Sequence, residues 1–364
     1  MSNRVKGSRL PKTKDTATSP CMPEQQPLVT FVIPCYNSAA FMRRCIDSVL
    51  AANHPCEILI INDGSTDSTG EIAHEYAQMH EHVFAIDQEN ANWGGVVNHG
   101  LELARGTYFK IVDSDDRLFG PALHSVLDQL DWCVKNNQEP DLLVTNFVYD
   151  HLSDKAQHVI QYRKLFPTGR LFTWEDMGTT PAIDQFIMVH ASWFKTEVLR
   201  ESHVKLPTKA SYMDSLFVLR PLQYVKTLFY LDVNAYYYII GREGQSVEIE
   251  VVKKHIDEQL LATILAINDA DYVQIYEKSP NQAMLMMGYI SCMMSVSTIH
   301  LFKINTPESL EKNRLLWAYM KQKNPTLYKY VRKSWAGWAN RKTALGRLAA
   351  RGVYTIAQKI FKFA

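Results

Sequence analysis

Thr107-Tyr-Phe-Lys-Ile-Val-Asp-Ser-Asp-Asp, residues 107–116, reads as a short strand that runs directly into a cluster of carboxylates. Its first six residues are mostly β-branched or aromatic, the types that suit a packed, pleated surface. Asp113, Asp115 and Asp116 follow within four positions. Carboxylates this close repel one another and raise their own pKa values unless a cation lies among them. Oxygen-only ligands favour Mg2+ or Mn2+, with a substrate phosphate completing the shell. The competing reading is an exposed acidic turn that caps the helix beginning near Pro121.

The segments upstream decide between these readings. Leu28-Val-Thr-Phe-Val-Ile, Glu57-Ile-Leu-Ile-Ile and Val83-Phe-Ala-Ile are further short apolar runs. Between them, Ala39–Ala52, Asp67–His80 and Gly95–Ala104 place apolar residues at helical spacing. Repeated strand–helix–strand units with short connections predict an α/β fold, Rossmann-like, with a mainly parallel sheet flanked by helices. Such sheets bind ligands beyond the carboxyl ends of their strands. Polar residues stand at all four ends: Pro34-Cys-Tyr-Asn, Asn62-Asp-Gly-Ser-Thr-Asp, Asp87-Gln-Glu-Asn and Asp113-Ser-Asp-Asp. One cluster is explained by a turn and a helix cap. Four in succession predict one shared crevice. Farther on, Asp141–Tyr149, Gln185–His190 and Tyr236–Ile240 read as strands, Met213–Leu222 as a helix, and the chain from Val251 onward as helical.

A cation that binds phosphate implies a nucleotide-like ligand. No G-x-x-x-x-G-K-[ST] is present, and no G-x-G-x-x-G follows the first strand. Those absences exclude a P-loop ATPase and a dinucleotide-binding dehydrogenase. Asp63 is placed to accept from a base N–H, with Tyr36 beside it to stack.

The motifs resemble those of a family-2 glycosyltransferase of the GT-A fold, the inverting type that builds bacterial surface polysaccharides. The matching pieces are Val32-Ile-Pro-Cys-Tyr-Asn, Glu57-Ile-Leu-Ile-Ile-Asn-Asp-Gly-Ser-Thr-Asp, Gln88-Glu-Asn, Asn98-His-Gly and Ala104-Arg-Gly-Thr-Tyr-Phe-Lys-Ile-Val-Asp-Ser-Asp-Asp. They cover about residues 28–120 in order. The resemblance implies that Pro34, Tyr36 and Asn37 line the nucleoside pocket, that Asp63 reads the uracil or other base, and that Asn90 sits at the nucleotide. It implies a D-x-D site at Asp113 and Asp115, with Asp116 adjacent, holding Mn2+ or Mg2+ and the ribose. Tyr212-Met-Asp-Ser-Leu-Phe resembles the segment that supplies the catalytic base, which makes Asp214 the candidate; its bland reading is a helix-start aspartate. Gly241-Arg-Glu-Gly-Gln-Ser resembles a loop folding over the diphosphate, with Arg242 and Ser246 toward phosphate. The sequence departs from the pattern at Asn62, where the family usually has Asp, at Val97, where many members have Arg, and at Asn92, where Gly is frequent.

The implied activity is metal-dependent transfer of a sugar from a nucleoside-diphosphate sugar, UDP-linked by expectation, to a hydroxyl of a surface glycan, teichoic acid or lipid-linked acceptor. A silent nucleotide-sugar-binding scaffold on the same fold is the alternative; Asp214 and the intact acidic cluster argue against it. A sugar-nucleotide pyrophosphorylase would need a Gly-rich basic N-terminal loop that this chain lacks.

Charge divides the chain further. The 364 residues sum to a net charge of +1. Residues 312–364 nevertheless hold 13 Lys and Arg and no Asp or Glu, and residues 1–27 hold five basic and two acidic groups. The body between them, residues 28–311, carries 21 basic and 36 acidic residues, a net of −15. The expected organisation is a disordered basic arm (1–27), a GT-A domain (28–250, with a nucleotide-sugar half to 120 and an acceptor half after it) and a helical region (251–364). In the last of these, Leu345, Leu348, Val353, Ile356, Ile360 and Phe363 recur at helical spacing among basic residues, after Trp335 and Trp338. A basic amphipathic helix suits an anionic membrane surface, and equally the acidic body or a second subunit. No nucleic-acid recognition motif accompanies the charge. Residues 279–302 lack any charged side chain, but their Ser, Thr, Gln and His content suits a buried core helix better than a membrane span. Six cysteines without metal or redox spacing, and no apolar leader at the N-terminus, lead to the expectation of a cytoplasmic protein, peripheral on the inner face of the membrane if the tail docks there.

Overall fold

The computed structural model describes residues 26–151, 157–178, 186–241, 249–341 and 343–361. The chain begins β1 (Val29–Cys35), α1 (Met42–Leu50), β2 (Cys56–Asp63), α2 (Thr69–Met79), β3 (Val83–Gln88), α3 (Asn92–Leu103) and β4 (Tyr108–Ile111). It continues with β5 (Arg117–Leu118), α4 (Gly120–Lys135), β6 (Leu142–His151), β7 (Gln157–Ile160), β8 (Leu171–Thr173), β9 (Ser192–Lys195), α5 (Thr196–Glu201), α6 (Asp214–Leu222) and β10 (Thr227–Ile240). Helices follow: α7 (Ile249–Lys254), α8 (Ile256–Asn268), α9 (Tyr272–Lys278), α10 (Pro280–Ile304), α11 (Pro307–Lys323), α12 (Pro325–Lys333), α13 (Trp335–Ala339) and α14 (Ala344–Phe361).

One sheet runs in the order β3-β2-β1-β4-β9-β6-β10-β5, with β7 on β6 and β8 on β10. β3, β2, β1 and β4 pair in parallel, as do β6 and β10, while the short strands β5, β7, β8 and β9 pair antiparallel. β2 is buried along its whole length and β1 nearly so, which is why both read as unbroken apolar runs. Right-handed crossovers put α1 and α2 on one face and α3 on the other, because the chain leaves β1 toward β2 and β3 but returns to β4 on the opposite side. The strand order therefore reverses between β1 and β4. Pairing with β2 continues along β1 to Cys35↔Asn62, whereas pairing with β4 ends at Val32↔Ile111. Two residues later stands Pro34, which has no N–H to offer a ladder. β1 and β4 thus part early, and a crevice opens at the switch point.

The expected strand at Gln185–His190 is not one: among the described residues 186–190 there is none, and the strand is Ser192–Lys195. The physical reason lies in the backbone bonds. The carbonyls of Val189, His190 and Ser192 are taken by the Lys110 ammonium (3.0, 2.6 and 3.3 Å), and Ala191 N–H closes a turn onto Met188 O (3.0 Å). Those groups have partners without a neighbouring strand.

α10 is long and apolar enough, by length and composition, to cross a membrane, yet 67% of its most apolar window is buried inside the protein. Its polar groups are matched one by one: His300 Nδ1 to Gln259 Oε1 (2.8 Å), Thr298 Oγ1 accepting from Trp317 (3.0 Å), and Gln282 donating to Leu222 O (2.6 Å). Asn305 ends α10 at φ +56, and Thr306 caps α11 by accepting from Ser309 N–H (3.1 Å).

Candidate active site

The strand ends meet as a connected set. From β1, Asn37 sits at φ +48, a conformation asparagine tolerates better than most residues, and its Oδ1 accepts from Thr66 N–H (2.9 Å) in the turn after β2. Ser38 joins the same turn through Thr69 Oγ1 (2.7 Å) and reaches Ser114 between the carboxylates (2.8 Å). Tyr36 is 55% exposed over this junction, and Pro34 is half-buried beneath it. The crevice thus has an aromatic edge and a rigid floor.

Asp63 ends β2 only 2% exposed. Its Oδ1 accepts from Gln88 Nε2 (2.7 Å) and Ala91 N–H (2.8 Å), and Asn90 donates to its carbonyl (3.0 Å). Among the described residues nothing hydrogen-bonds to Oδ2. One oxygen is locked and the other remains to accept a ligand's N–H. Asn62 bridges Asp87 Oδ1 (2.7 Å) and Ser65 N–H (3.2 Å). An aspartate here would face the Asp87 carboxylate, whereas the amide donates to it. Asn92 stands at φ +58, so the position where glycine is frequent needs a left-handed backbone, and asparagine supplies it.

Beyond β4, Asp113 Oδ1 accepts from Trp93 Nε1 at the start of α3 (2.8 Å), and its N–H donates to Tyr236 OH of β10 (3.2 Å). Asp116 is fully buried; it accepts from Tyr236 OH (2.6 Å) and Ile239 N–H (2.8 Å). Burial, then the charges of Asp115 and Asp113, raises its carboxyl well above the usual range. Asp115 is half-buried, with Arg44 on its carbonyl (2.8 Å). These residues do not cap the next helix: α4 starts after Phe119 without a side-chain cap. The capping alternative for the acidic cluster fails on that geometry.

His190 joins the cluster from the turn before β9. It is 7% exposed, its Nε2 lies 3.8 Å from Asp113 Oδ2, and its buried Nδ1 has no partner. Tyr236 and Tyr238 rings flank it at 4.8 Å each. Candidate ligand atoms of Asp113, Asp116 and His190 lie within 4.8 Å of one another. Two carboxylates and an imidazole gathered this closely could hold a divalent cation, and the carboxylate oxygens are the ligands that suit Mn2+ or Mg2+. Lys110 sets this turn in place; burial pulls its ammonium down to about 7, with Asp113 and Asp116 opposing. Its ammonium also lies 5.0 Å from the ring centres of Trp193 and Tyr236.

Asp214 is the first residue of α6 and partly buried. Burial raises its carboxyl above the ordinary value; the His190 side chain opposes this and Asp113 adds to it. The backbone enters this helix through Tyr212 at φ +63, an unusual conformation for a bulky residue. The preceding loop is anchored on α3: Asn98 exchanges two bonds with Leu206 (2.8 and 2.9 Å), and a Cβ on Gly94 would meet Pro207 O at 2.5 Å. Behind Asp214 stands Tyr289 of α10, whose phenol is pushed up by burial and then by the Asp214 charge.

The structure thus brings Pro34, Tyr36, Asn37, Asp63, Asn90, Asp113, Asp115, Asp116 and Asp214 to the sheet's carboxyl edge. Arg242 and Ser246 lie outside the described residues. Sequence reasoning missed Trp93, Lys110, His190 and Tyr236 as parts of the site. Lys110 alone carried a signal, a charge in the middle of an apolar strand.

A parallel sheet with an acidic crevice at its switch point, extended by strands that carry an Asp-started helix, is the architecture of a GT-A glycosyltransferase domain. Residues 30–195 match the family model for glycosyl transferase family 2, and that part of the chain is a family-2 glycosyltransferase domain. Glycosyltransferase GlyA of Streptococcus pneumoniae is 40% identical over 173 residues, 46% of this chain and 24% of that protein. An uncharacterised glycosyltransferase of Mycoplasma pneumoniae is 30% identical over 221 residues, 59% of this chain and 62% of that one. The chain therefore spans from about a quarter to less than two thirds of these relatives. In fold, it is similar to residues 1–349 of S. aureus TarS in complex with UDP-GlcNAc, with a TM-score of 0.64 at 17% identity over 90% of this chain and 92% of that one.

Proposed function

We propose that this chain transfers a sugar from a nucleoside-diphosphate sugar to an acceptor hydroxyl with inversion at the anomeric carbon. The carrying observation is the gathering of Asp113, Asp116 and His190 within 4.8 Å of one another in a crevice that also offers the open Oδ2 of Asp63, with Asp214 at the start of α6. In this reading Asp63 accepts from the base, Tyr36 stacks on it, and Pro34, Asn37 and Asn90 shape the nucleoside pocket. The fold shared with TarS, solved with UDP-GlcNAc, favours a uracil base. Asp113 and Asp115, with Asp116 and His190 behind, would hold Mn2+ or Mg2+, which would offset charge on the leaving diphosphate.

Asp214 takes the proton of the acceptor hydroxyl as its oxygen attacks C1 from the face opposite the diphosphate. The C–O bond to the diphosphate breaks as the new glycosidic bond forms, through an oxocarbenium-like transition state. The raised carboxyl of Asp214 is the better base for a sugar hydroxyl. Arg242 and Ser246 are assigned to the diphosphate on motif resemblance. The acceptor is a hydroxyl of a surface glycan, teichoic acid or lipid-linked sugar.

The test is a panel of UDP- and GDP-sugars, with and without Mn2+ or Mg2+, read by thermal shift and by release of nucleoside diphosphate. Metal-dependent release from one donor, lost in Asp214→Asn, supports transfer. Donor binding without release under any acceptor supports the silent scaffold instead.

A further inference from the structure

α14 sits on the protein the wrong way round for an ordinary surface helix. Such a helix turns its apolar stripe to the core and its charges to water. Here the face that rests on α10 carries Ala350, Arg347 and Tyr354. The Arg347 guanidinium lies 6.0 Å from the Phe302 ring centre, and Lys303 lies 4.6 Å from that of Tyr354. The Tyr354 ring meets His300 edge-on at 6.1 Å. Leu345, Leu348 and Val353 point outward, 77%, 60% and 40% exposed. Their spacing makes one face, and the exposed Ala349 and Gly352 between them keep it smooth.

The neighbouring short helix adds exposed aromatic rings. Trp335 and Trp338 are 57% and 37% exposed, with ring centres 5.8 Å apart at 77°. The Arg341 guanidinium lies 5.2 Å from the Trp338 ring centre. Lys329, Arg332 and Lys333 are exposed on the preceding helix. After Glu311 the chain has no acidic residue at all, against 13 basic ones.

We infer that this face binds an anionic lipid surface, with the α14 stripe and the two tryptophans at the depth of the headgroups and the lysines and arginines on the phosphates. Three features favour lipid over protein. An outward apolar stripe beside basic residues is the design of an interfacial helix. Exposed tryptophan rings suit the boundary between acyl chains and water. A second copy docked through the same patch would set the exposed Lys329, Arg332, Lys333 and Arg341 against their own copies. The inference does not depend on the proposed sugar transfer, and its test needs no donor.

The experiment is co-sedimentation of the full chain with vesicles of phosphatidylglycerol and phosphatidylcholine, against phosphatidylcholine alone. The chain is expected to pellet with the anionic vesicles, with a blue shift in tryptophan fluorescence, and to pellet far less with the neutral ones. Lys329→Gln/Arg332→Gln/Lys333→Gln should lower partition by about fivefold for each charge removed. Leu345→Ser/Leu348→Ser should lower it about tenfold or more, at side chains exposed enough to leave the fold intact. Equal partition on anionic and neutral vesicles, or wild-type partition in both variants, would overturn the inference. So would a lipid-free dimer, seen by sedimentation velocity, that Leu345→Ser/Leu348→Ser converts to monomer; that outcome gives the face to a second copy.

Discussion

Asp63→Asn exchanges one oxygen for an NH2 group at the end of β2. The locked oxygen settles which one. Ala91 N–H and Gln88 Nε2 both donate to Oδ1, so the asparagine must keep its carbonyl there; a flip would set three donors against each other. The NH2 group then takes the place of Oδ2 and faces the base N–H that the carboxylate is proposed to accept. A hydrogen bond to a charged group is worth about 1.5–3 kcal/mol. At a factor of ten per about 1.4 kcal/mol, UDP should bind roughly 10- to 150-fold more weakly. Global stability should change by less than about 1 kcal/mol, because both structural bonds survive. Isothermal titration of UDP with Mn2+ present, beside a urea melt, measures the two separately. Unchanged affinity, or intact affinity with a loss of several kcal/mol, would make Asp63 a turn organiser and refute the base-reading role.

Other perturbations separate the remaining roles. Asp214→Asn should lower kcat by about 10²–10⁴-fold with donor affinity unchanged, and weakened donor binding would refute its assignment as base. Lys110→Met takes the ammonium away from the carbonyls of Val189, His190 and Ser192, of which Val189 O keeps the Ser192 hydroxyl (3.1 Å), while removing a buried charge, so stability should fall by about 2–4 kcal/mol. An unmoved denaturation midpoint would show that the turn holds itself. Burial, then Lys303, holds the His300 imidazole down at about 4, so between pH 6.5 and 4 the unfolded chain binds a proton that the folded chain refuses. Stability must therefore drop as pH falls through that window, by up to about 3 kcal/mol from this residue. His300→Gln should remove that share of the acid loss, and parallel wild-type and variant curves would refute the assignment.

The nucleotide half was readable because each strand is a local object, apolar for a few residues and then polar. That pattern located Asp63 and Asp113 at the ends of strands, where the structure places them, whereas Asp214, the first residue of α6, was reached through the family resemblance. It could not locate His190, whose role depends on β9 inserting between β4 and β6. Nor could it assign Tyr236, which closes on Asp116 across 120 positions. The segment before β9 looked like a strand since Phe186, Ile187 and Val189 are buried there. Its backbone is satisfied instead by a lysine side chain 80 residues upstream, and hydropathy carries no trace of that. Two departures from the family pattern, Asn62 and Asn92, proved to be local backbone and hydrogen-bond solutions.

The contacts of α10 bear on how this chain can be taken apart. Its Gln282 holds the last carbonyl of α6, Asn281 holds Trp174 O (2.8 Å), and Tyr289 backs the residue proposed to take the proton. A boundary drawn near residue 250, where the sheet has ended, would take Gln282 from the Leu222 carbonyl and Tyr289 from beside Asp214. The helical region is therefore no cassette to be trimmed or exchanged between relatives. A chimera that imports another acceptor region has to import the partners of α6 with it, or lose the base it was meant to redirect.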